Sequence, residues 1–426
     1  MGIRTERERL KVRPSGVEFA KVLNFRKFPN ICAPCHHIFS IFVGCNQIQM
    51  EKINIYSGEK IISRIIVEET IDALEKCIET YPHVYAVMDS NVAMQCNAAG
   101  TMAEIMNRMG VPGKLITASE ETKTMETVMD ICEWLLENGA DRDALVLAIG
   151  GGITTDMAGF AASIYKRGVR FAYVPTTLLS QVDAAIGGKT GVNLERYKNI
   201  LGVIRQPEFT YICPQVLESL PHRDFTSGVA EMLKTFIIED DGNYQKAVDV
   251  LSEMQQGYAI LPEESAAEYW SDCVTAYSSE LLYLISEAVR VKAGVVSRDQ
   301  YERGERRKLN LGHTFAHAIE TIAQRNDYDI THGEAVAMGL VLAARLSDRV
   351  FRGDMETPTE MEGGLAIDLY DCGLDVQCPY SVDEMAYIME KDKKAEGGKV
   401  HFVLIDAIGD VRTVDLTVHE VVELLK

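Results

Sequence analysis

A run of about eighteen apolar residues, the least that crosses a bilayer as a helix, occurs nowhere in this 426-residue chain, so no membrane span is expected. Positive charge is scarce too. Against 63 Asp and Glu stand 43 Lys and Arg, and the net charge of −20 argues against a nucleic-acid partner, which needs a basic face. A disulfide framework is also missing. The ten cysteines are scattered, and Cys77, Cys132 and Cys273 sit in apolar stretches, a usage that fits reduced thiols in the cytoplasm. No internal repeat and no low-complexity tract is present. What is there is bulk: 47% of the residues are hydrophobic, and the length suits two domains.

Residues 1–49 differ in kind from the rest. They carry eight Lys and Arg and three Asp and Glu, so the remaining chain holds a net −25. Their Cys32-Ala33-Pro34-Cys35-His36 matches the pattern for covalent haem attachment, but that chemistry needs export, and no apolar secretory stretch with a small-residue cleavage site precedes it. The segment is expected to lie outside the fold, with Met50 as a candidate start.

From 50 to 221, short apolar runs alternate with helical stretches. Val84–Met88 reads as a strand ending at Asp89, Leu115-Ile116 as a weaker one, Ala144–Ile149 as a buried parallel strand, and Phe171–Val174 as another, stopped by Pro175. Met125–Asn138 is amphipathic and helical. This alternation predicts an α/β domain with a mostly parallel, Rossmann-like sheet. From 222 to 426 the pattern turns helical and predicts an all-α domain. Val229, Met232, Leu233, Phe236 and Ile237 form one stripe, Phe315, Ala318, Ile319 and Ile322 another, and Gly333–Leu346 a third helix. Arg352–Gly364 reads as a surface loop, and Val400–Ile405 as a short strand.

Two places carry chemistry. Gly150-Gly151-Gly152 directly follows a strand and precedes a helix start, an arrangement that offers bare N–H groups and a helix dipole to a pyrophosphate. The Gly187-Gly188-Lys189-Thr190 stretch is no NTPase loop, because Asp183 stands where its first glycine belongs. In the helical half, His313 and His317 share a face with Glu320, Glu231 and Lys234 share another, and His332 opens a helix. Imidazoles and a carboxylate suit an open zinc site; from spacing alone, which of them bind the metal stays open.

Gly150–Asn193, Gly228–Lys234 (GVAEMLK), Leu309–Glu320 (LNLGHTFAHAIE) and His332–Leu340 (HGEAVAMGL) together resemble the 3-dehydroquinate synthase family of sugar-phosphate cyclases, and the resemblance runs from about Met50 to the C-terminus. It implies an enzyme dependent on NAD and on one divalent metal, zinc or cobalt, that turns 3-deoxy-D-arabino-heptulosonate 7-phosphate into 3-dehydroquinate in the shikimate pathway. The implied course is oxidation of a ring hydroxyl, β-elimination of phosphate, reduction, ring opening and aldol closure.

Residue by residue, the resemblance implies Glu231, His313 and His332 as metal ligands and His317 as a proton-handling group near the phosphate. Lys189, Asn199, Lys234, Lys292, Arg306 and Asn310 match substrate contacts, Asp183 a residue beside NAD and substrate, and Arg167 a donor from a neighbouring subunit, which implies a homodimer. For NAD it implies Asp89, Asn91, Glu120, Lys123, Gly150, Gly151, Gly152, Thr155, Asp156, Thr176, Thr177, Lys189, Lys198 and Ser219. The chain departs from the family around the ribose loop, where Ala118–Lys123 keeps only Glu120 and Lys123 of the usual pattern. It departs again at Tyr197-Lys198-Asn199 and at Val216–Ser219. Asp392-Lys393-Lys394 is similar to a phosphate-contacting segment, without fixing which lysine makes the contact. The other readings are a sibling cyclase, a metal-dependent polyol dehydrogenase that releases NADH, and a non-catalytic binding protein.

Overall fold

The computed structural model describes residues 51–97, 100–195, 197–258, 263–353, 358–393 and 399–426. The basic N-terminal segment with its Cys32–His36 pattern, Lys394 and the side chain of Lys393 lie outside the described residues.

The sheet begins with Glu51–Ser57 (β1) and Lys60–Val67 (β2), an antiparallel pair turned at Gly58, whose φ of 61° suits glycine. Val84–Asp89 (β3), Gly113–Ile116 (β4), Leu145–Gly150 (β5) and Arg170–Pro175 (β6) follow. Lys189–Leu194 (β7) and Tyr197–Ile204 (β8) form a separate antiparallel hairpin, and Phe209–Ile212 (β9) returns to the sheet. The seven-stranded order is β1-β2-β9-β6-β5-β3-β4, parallel everywhere except β1 with β2. Every residue of β5 is buried, as in a central parallel strand covered on both faces. Met125–Glu137 (α1) is capped by Thr124 and buries Val128, Ile131 and Leu135, the spacing of a single helix face. Gly152–Ile164 (α2) leaves the tip of β5 directly.

The helical half follows Pro221 with His222–Glu239 (α3), Ser278–Arg298 (α4), His313–Arg325 (α5), His332–Phe351 (α6) and Glu360–Asp371 (α7). The expected loop 352–364 stops at Thr359. That residue caps α7 and forms a reciprocal pair with Glu362, so the helix starts four residues before Gly364. Among these helices lies one hairpin, Val400–Ala407 (β10) with Asp410–Leu416 (β11); its first strand covers the expected Val400–Ile405. The hydrophobic core is continuous across Pro221: Ile53, Ile55, Ile65 and Val182 belong to the same cluster as Leu233, Phe236 and Phe315.

One of these helices, α6, approaches both α3 and the start of α5 at backbone distance. A Cβ on Gly333 would collide with the backbone of Ser227 in α3, and one on Gly339 with the carbonyl of Gly312, just before α5. These crossings fix where the first residues of α5 and α6 stand relative to α3. Gly339→Ala is therefore expected to destabilise the protein by about 1–3 kcal/mol, the usual cost of overpacking, read as a lower unfolding midpoint in urea. An unchanged midpoint would show that α5 and α6 can separate freely.

Candidate metal and nucleotide site

Glu231 lies in the middle of α3, where almost every residue from Phe225 to Ile238 is buried, so its carboxylate is sealed in the interior. His313 is the first residue of α5 and follows Gly312, whose φ of 76° turns the chain into the helix. His332 is the first residue of α6, behind a Thr331–Glu334 capping box. The three side chains converge. His313 Nε2 is 3.5 Å and His332 Nε2 3.3 Å from Glu231 Oε1, and one ligand atom from each residue lies within 4.8 Å of the others.

The far nitrogens are also engaged. His313 Nδ1 donates to the Leu311 carbonyl at 3.1 Å, and His332 Nδ1 faces Glu320 Oε1 at 3.5 Å. Both rings thereby turn Nε2 toward Glu231. Burial and the nearby Lys234 charge hold His313 down at about 3, so it is neutral, as a ligand must be. Burial acts to raise the Glu231 carboxyl, but Lys234, His313 and His332 outweigh it and keep it well below the usual range. Burial acts to lower His332, and Glu231 and Glu320 reverse this and lift it to about 10. Among the described residues neither Glu231 oxygen accepts a well-directed hydrogen bond. A carboxylate whose oxygens lack directed hydrogen bonds among the described residues, faced by two imidazole Nε2 atoms, fits a divalent cation of the zinc type with positions left for a substrate.

His313, His317 and His332 line a cavity of about 580 Å³ that also gathers Asp156, Asp183, Lys189, Asn199, Lys234, Lys292, Arg306 and Asn310. Opposite charges alternate along one wall. Lys234 pairs with Glu231 and, at 3.7 Å, with Asp183, and Lys292 pairs with Asp183 while donating to its carbonyl at 2.7 Å. Arg306 is buried and donates through one nitrogen to the Gly187 and Gln300 carbonyls, at 3.0 and 2.6 Å; its Nε has no hydrogen-bond partner among the described residues. The His317 ring stands edge-on to His313, centroids 5.6 Å apart.

One charged cavity residue was not anticipated. Glu302 pairs with Lys189 and accepts from Asn310 Nδ2 at 2.9 Å, from a backbone at φ 57°. It lies between two recognisable motifs, and no spacing marks it. Arg167 is exposed at the turn after α2 and is not among the cavity-lining residues.

The glycine turn sits at the tip of β5, and Gly151 caps α2 without a side chain, leaving its first N–H groups open to an anion. A Cβ on Gly151 would lie 3.1 Å from Thr177 Cγ2, so the groove there is shaped by backbone. Beside it, the buried Thr176 hydroxyl has no hydrogen-bond partner among the described residues, Thr177 Oγ1 accepts from Ser180 N at 3.2 Å, and the Thr155 hydroxyl donates to Gly152 O at 3.0 Å. Asp89, at the tip of β3, accepts from Asn91 N at 3.0 Å. Glu120 accepts from Asn193 Nδ2 at 2.8 Å, and Ser219 donates to Gln95 at 3.0 Å. Lys123 and Lys198 are engaged by side chains: Lys123 by Asp156 and Asn199, both at 2.6 Å, and Lys198 by Glu320 at 3.3 Å. An adjacent nucleotide groove and metal pocket allow redox chemistry at a carbon that bears oxygen.

Comparison with known proteins agrees with this geometry. Residues 114–227 match the 3-dehydroquinate synthase N-terminal family and residues 228–395 the 3-dehydroquinate synthase C-terminal family. The chain is 38% identical to the 3-dehydroquinate synthase of Acidithiobacillus ferrooxidans over 329 residues, which is 76% of this chain and 83% of that enzyme. It is 36% identical to that of a Picosynechococcus species over 341 residues, 79% of this chain and 85% of that one. Among solved structures it is similar to the 2-epi-5-epi-valiolone synthase of Streptomyces hygroscopicus subsp. jinggangensis, which has NAD+ and Zn2+ bound. That similarity has a TM-score of 0.71 and 28% identity, and it covers 86% of this chain and 96% of the other.

The trio makes a direct prediction. Wild-type protein titrated with zinc and freed of excess is expected to retain about one equivalent by elemental analysis, and Glu231→Gln and His313→Ala almost none. His317→Ala is expected to keep its metal, and loss of metal there would make both α5 histidines ligands.

Proposed function

Because this chain belongs to the 3-dehydroquinate synthase family, we propose that it converts 3-deoxy-D-arabino-heptulosonate 7-phosphate to 3-dehydroquinate and phosphate, as an NAD- and metal-dependent carbon–oxygen lyase of the shikimate pathway. The observation that carries this reading is a cavity in which His313, His317 and His332 face a row of cations, with Glu231 sealed directly behind His313 and His332. When bound, NAD takes up and returns hydride while the divalent cation acidifies the substrate hydroxyl.

The protein's own groups do the rest. Glu231, His313 and His332 hold the metal. Lys234 neutralises Glu231 and Asp183, so an anionic substrate meets no bare carboxylate there. Arg306, with Nε free of partners among the described residues, and Asn310 beside it suit the substrate carboxylate. Lys189, Asn199 and Lys292 are the further substrate contacts, and Asp183 orients Lys292. His317, one helical turn after His313, is placed to move a proton at the departing phosphate. The β7–β8 hairpin supplies Thr190, Asn199 and Ile204 to one wall and limits water there. The glycine turn, Thr155, Asp156, Thr176 and Thr177 form the nucleotide side, with Asp89, Asn91, Glu120, Lys123, Lys198 and Ser219 around it.

We assign residues 50–221 to nucleotide binding and residues 222–426 to metal and substrate. Arg167, exposed on its turn, is assigned to a neighbouring subunit's cavity in a homodimer. The reading places the enzyme in the cytoplasm; among the described residues no helix is long and apolar enough to cross a membrane. A sibling cyclase is the second reading, favoured by the similarity to the valiolone synthase. Arg306 and Asn310, ready for a carboxylate, favour the first.

Purified protein given the heptulosonate phosphate, zinc or cobalt and catalytic NAD is expected to release phosphate over many turnovers without accumulating NADH. NADH formed in step with product would instead identify a dehydrogenase. Arg306→Lys keeps the charge and loses the fork, so KM is expected to rise about tenfold or more, the worth of a hydrogen bond to a charged group. A KM unchanged by the substitution removes Arg306 from the substrate site. Burial draws the Lys292 ammonium down to about 8, although Asp183 partly opposes this. Below that pH Lys292 is a cation facing an anionic substrate; above it the charge is lost. KM is therefore expected to climb as the pH passes about 8 and to lose this rise in Lys292→Gln. A flat profile in the wild type would contradict the assignment.

A further inference from the structure

We propose that Glu320 is the positioning residue of the metal centre, and that through Lys198 it links metal affinity to occupancy of the nucleotide groove. The inference rests on the metal- and NAD-dependent reading above.

Glu320 lies on α5 seven residues after His313, two turns along the same helix face. The His332 ring is held between two carboxylates, one at each nitrogen: Nε2 is 3.3 Å from Glu231 Oε1 and Nδ1 is 3.5 Å from Glu320 Oε1. The Glu320 side chain is only 15% exposed, so this pairing is little screened by solvent. A carboxylate on the outer nitrogen of a ligating imidazole fixes its tautomer and ring angle and raises its donor strength. Among the described residues, His313 has the neutral Leu311 carbonyl in that role. His332 is therefore the ligand whose orientation depends on a charged neighbour.

The same Glu320 oxygen receives Lys198 Nζ at 3.3 Å, from the β7–β8 hairpin. The next residue, Asn199, holds a left-handed backbone at φ 55° and is gripped from the nucleotide side. Lys123 donates to its Oδ1 at 2.6 Å, and Asn193 Oδ1 accepts its N–H at 2.9 Å. Lys123 also holds Asp156 in the first turns of α2, and Asn193 reaches Glu120. The contacts that set the hairpin tip thus come from Lys123 directly and from Glu120 through Asn193 of β7, and the tip delivers a cation to the carboxylate behind His332. A nucleotide that orders Glu120, Lys123 and Asp156 also holds Lys198 on Glu320. Held that way, Glu320 keeps the His332 ring at its ligating angle, and it is through this orientation that, by linkage, NAD tightens the metal and the metal tightens NAD by the same factor.

The test uses the full-length protein, a chromophoric chelator competing for zinc, and the visible spectrum of the cobalt-substituted form. Glu320→Ala is expected to weaken zinc about 10–100-fold, to shift the cobalt bands, and to abolish the tightening of zinc by NAD. Lys198→Met is expected to change the zinc affinity of the NAD-free protein and its cobalt bands far less than Glu320→Ala does. It loses the tightening even at NAD concentrations shown by direct titration to be saturating. Should Glu320→Ala unfold, Glu320→Gln, which preserves shape and removes charge, gives the same readout. Wild-type zinc affinity and cobalt bands in the Glu320 variants would overturn the positioning role, and a wild-type zinc affinity indifferent to NAD would overturn the link. A wild-type protein that binds no zinc at all would instead bring down the metal-dependent reading beneath both.

Discussion

The rest of the structure depends on one sealed carboxylate. An ionised Glu231 in the middle of a buried helix costs several kcal/mol of lost hydration unless positive charge surrounds it. Lys234, one turn along α3, supplies part of that compensation, and His313 and His332 face the remaining side. Neither histidine belongs to α3. Each opens its own helix, so compensation requires two more helix N-termini to arrive within a few ångströms. The glycines at 333 and 339 let them do so, because any side chain there would meet the backbone of Ser227 or Gly312. The packing of α3, α5 and α6 and the electrostatics of Glu231 are thus one constraint, and a metal cation satisfies it more fully than protons do.

The cavity beyond the trio repeats the principle with less burial. Its lysines each have a carboxylate close by: Lys234 and Lys292 share Asp183, and Lys189 has Glu302. Such pairing fixes the ammonium groups in place before a substrate arrives, so little reorganisation remains when phosphate and carboxylate enter. It also explains how a chain with a net charge of −20 keeps a locally cationic pocket, since surface charge and pocket charge are set by different residues.

Much of this was legible in the sequence, and the illegible parts share a cause. The strands β3, β5 and β6 and the helix α1 follow apolar patterning that reflects burial on a fixed face, and the structure places them within a residue or so of the expected bounds. The grouping of Glu231, His313 and His332 was readable because the motifs that carry them are long and ordered. The β7–β8 hairpin was missed because β8 is exposed along most of its length and has no alternation to detect. Glu231 and Lys234 read as the polar side of an amphipathic helix, yet α3 is buried all round, and periodicity cannot separate a solvated face from a polar interior one. Glu302 escaped because its role comes from Lys189, more than a hundred residues earlier, and no local pattern encodes a contact of that range.

The continuous core bears on how the two halves cooperate. Had the sheet half and the helical half packed separately, their relative placement would rest on a polar interface that shifts easily. Here Ile53, Ile55 and Ile65 from the sheet edge share a cluster with Leu233 and Phe236 of α3, the helix that carries Glu231. The groove at the tip of β5 and the carboxylate in α3 are thereby fixed to a common hydrophobic body. Reactions that pass hydride between a nicotinamide and a metal-held hydroxyl lose rate steeply with small displacements. A shared core keeps the coarse distance, and the polar hairpin tip, held by Lys123 and Asn193 on one side and Glu320 on the other, is left to adjust the fine one.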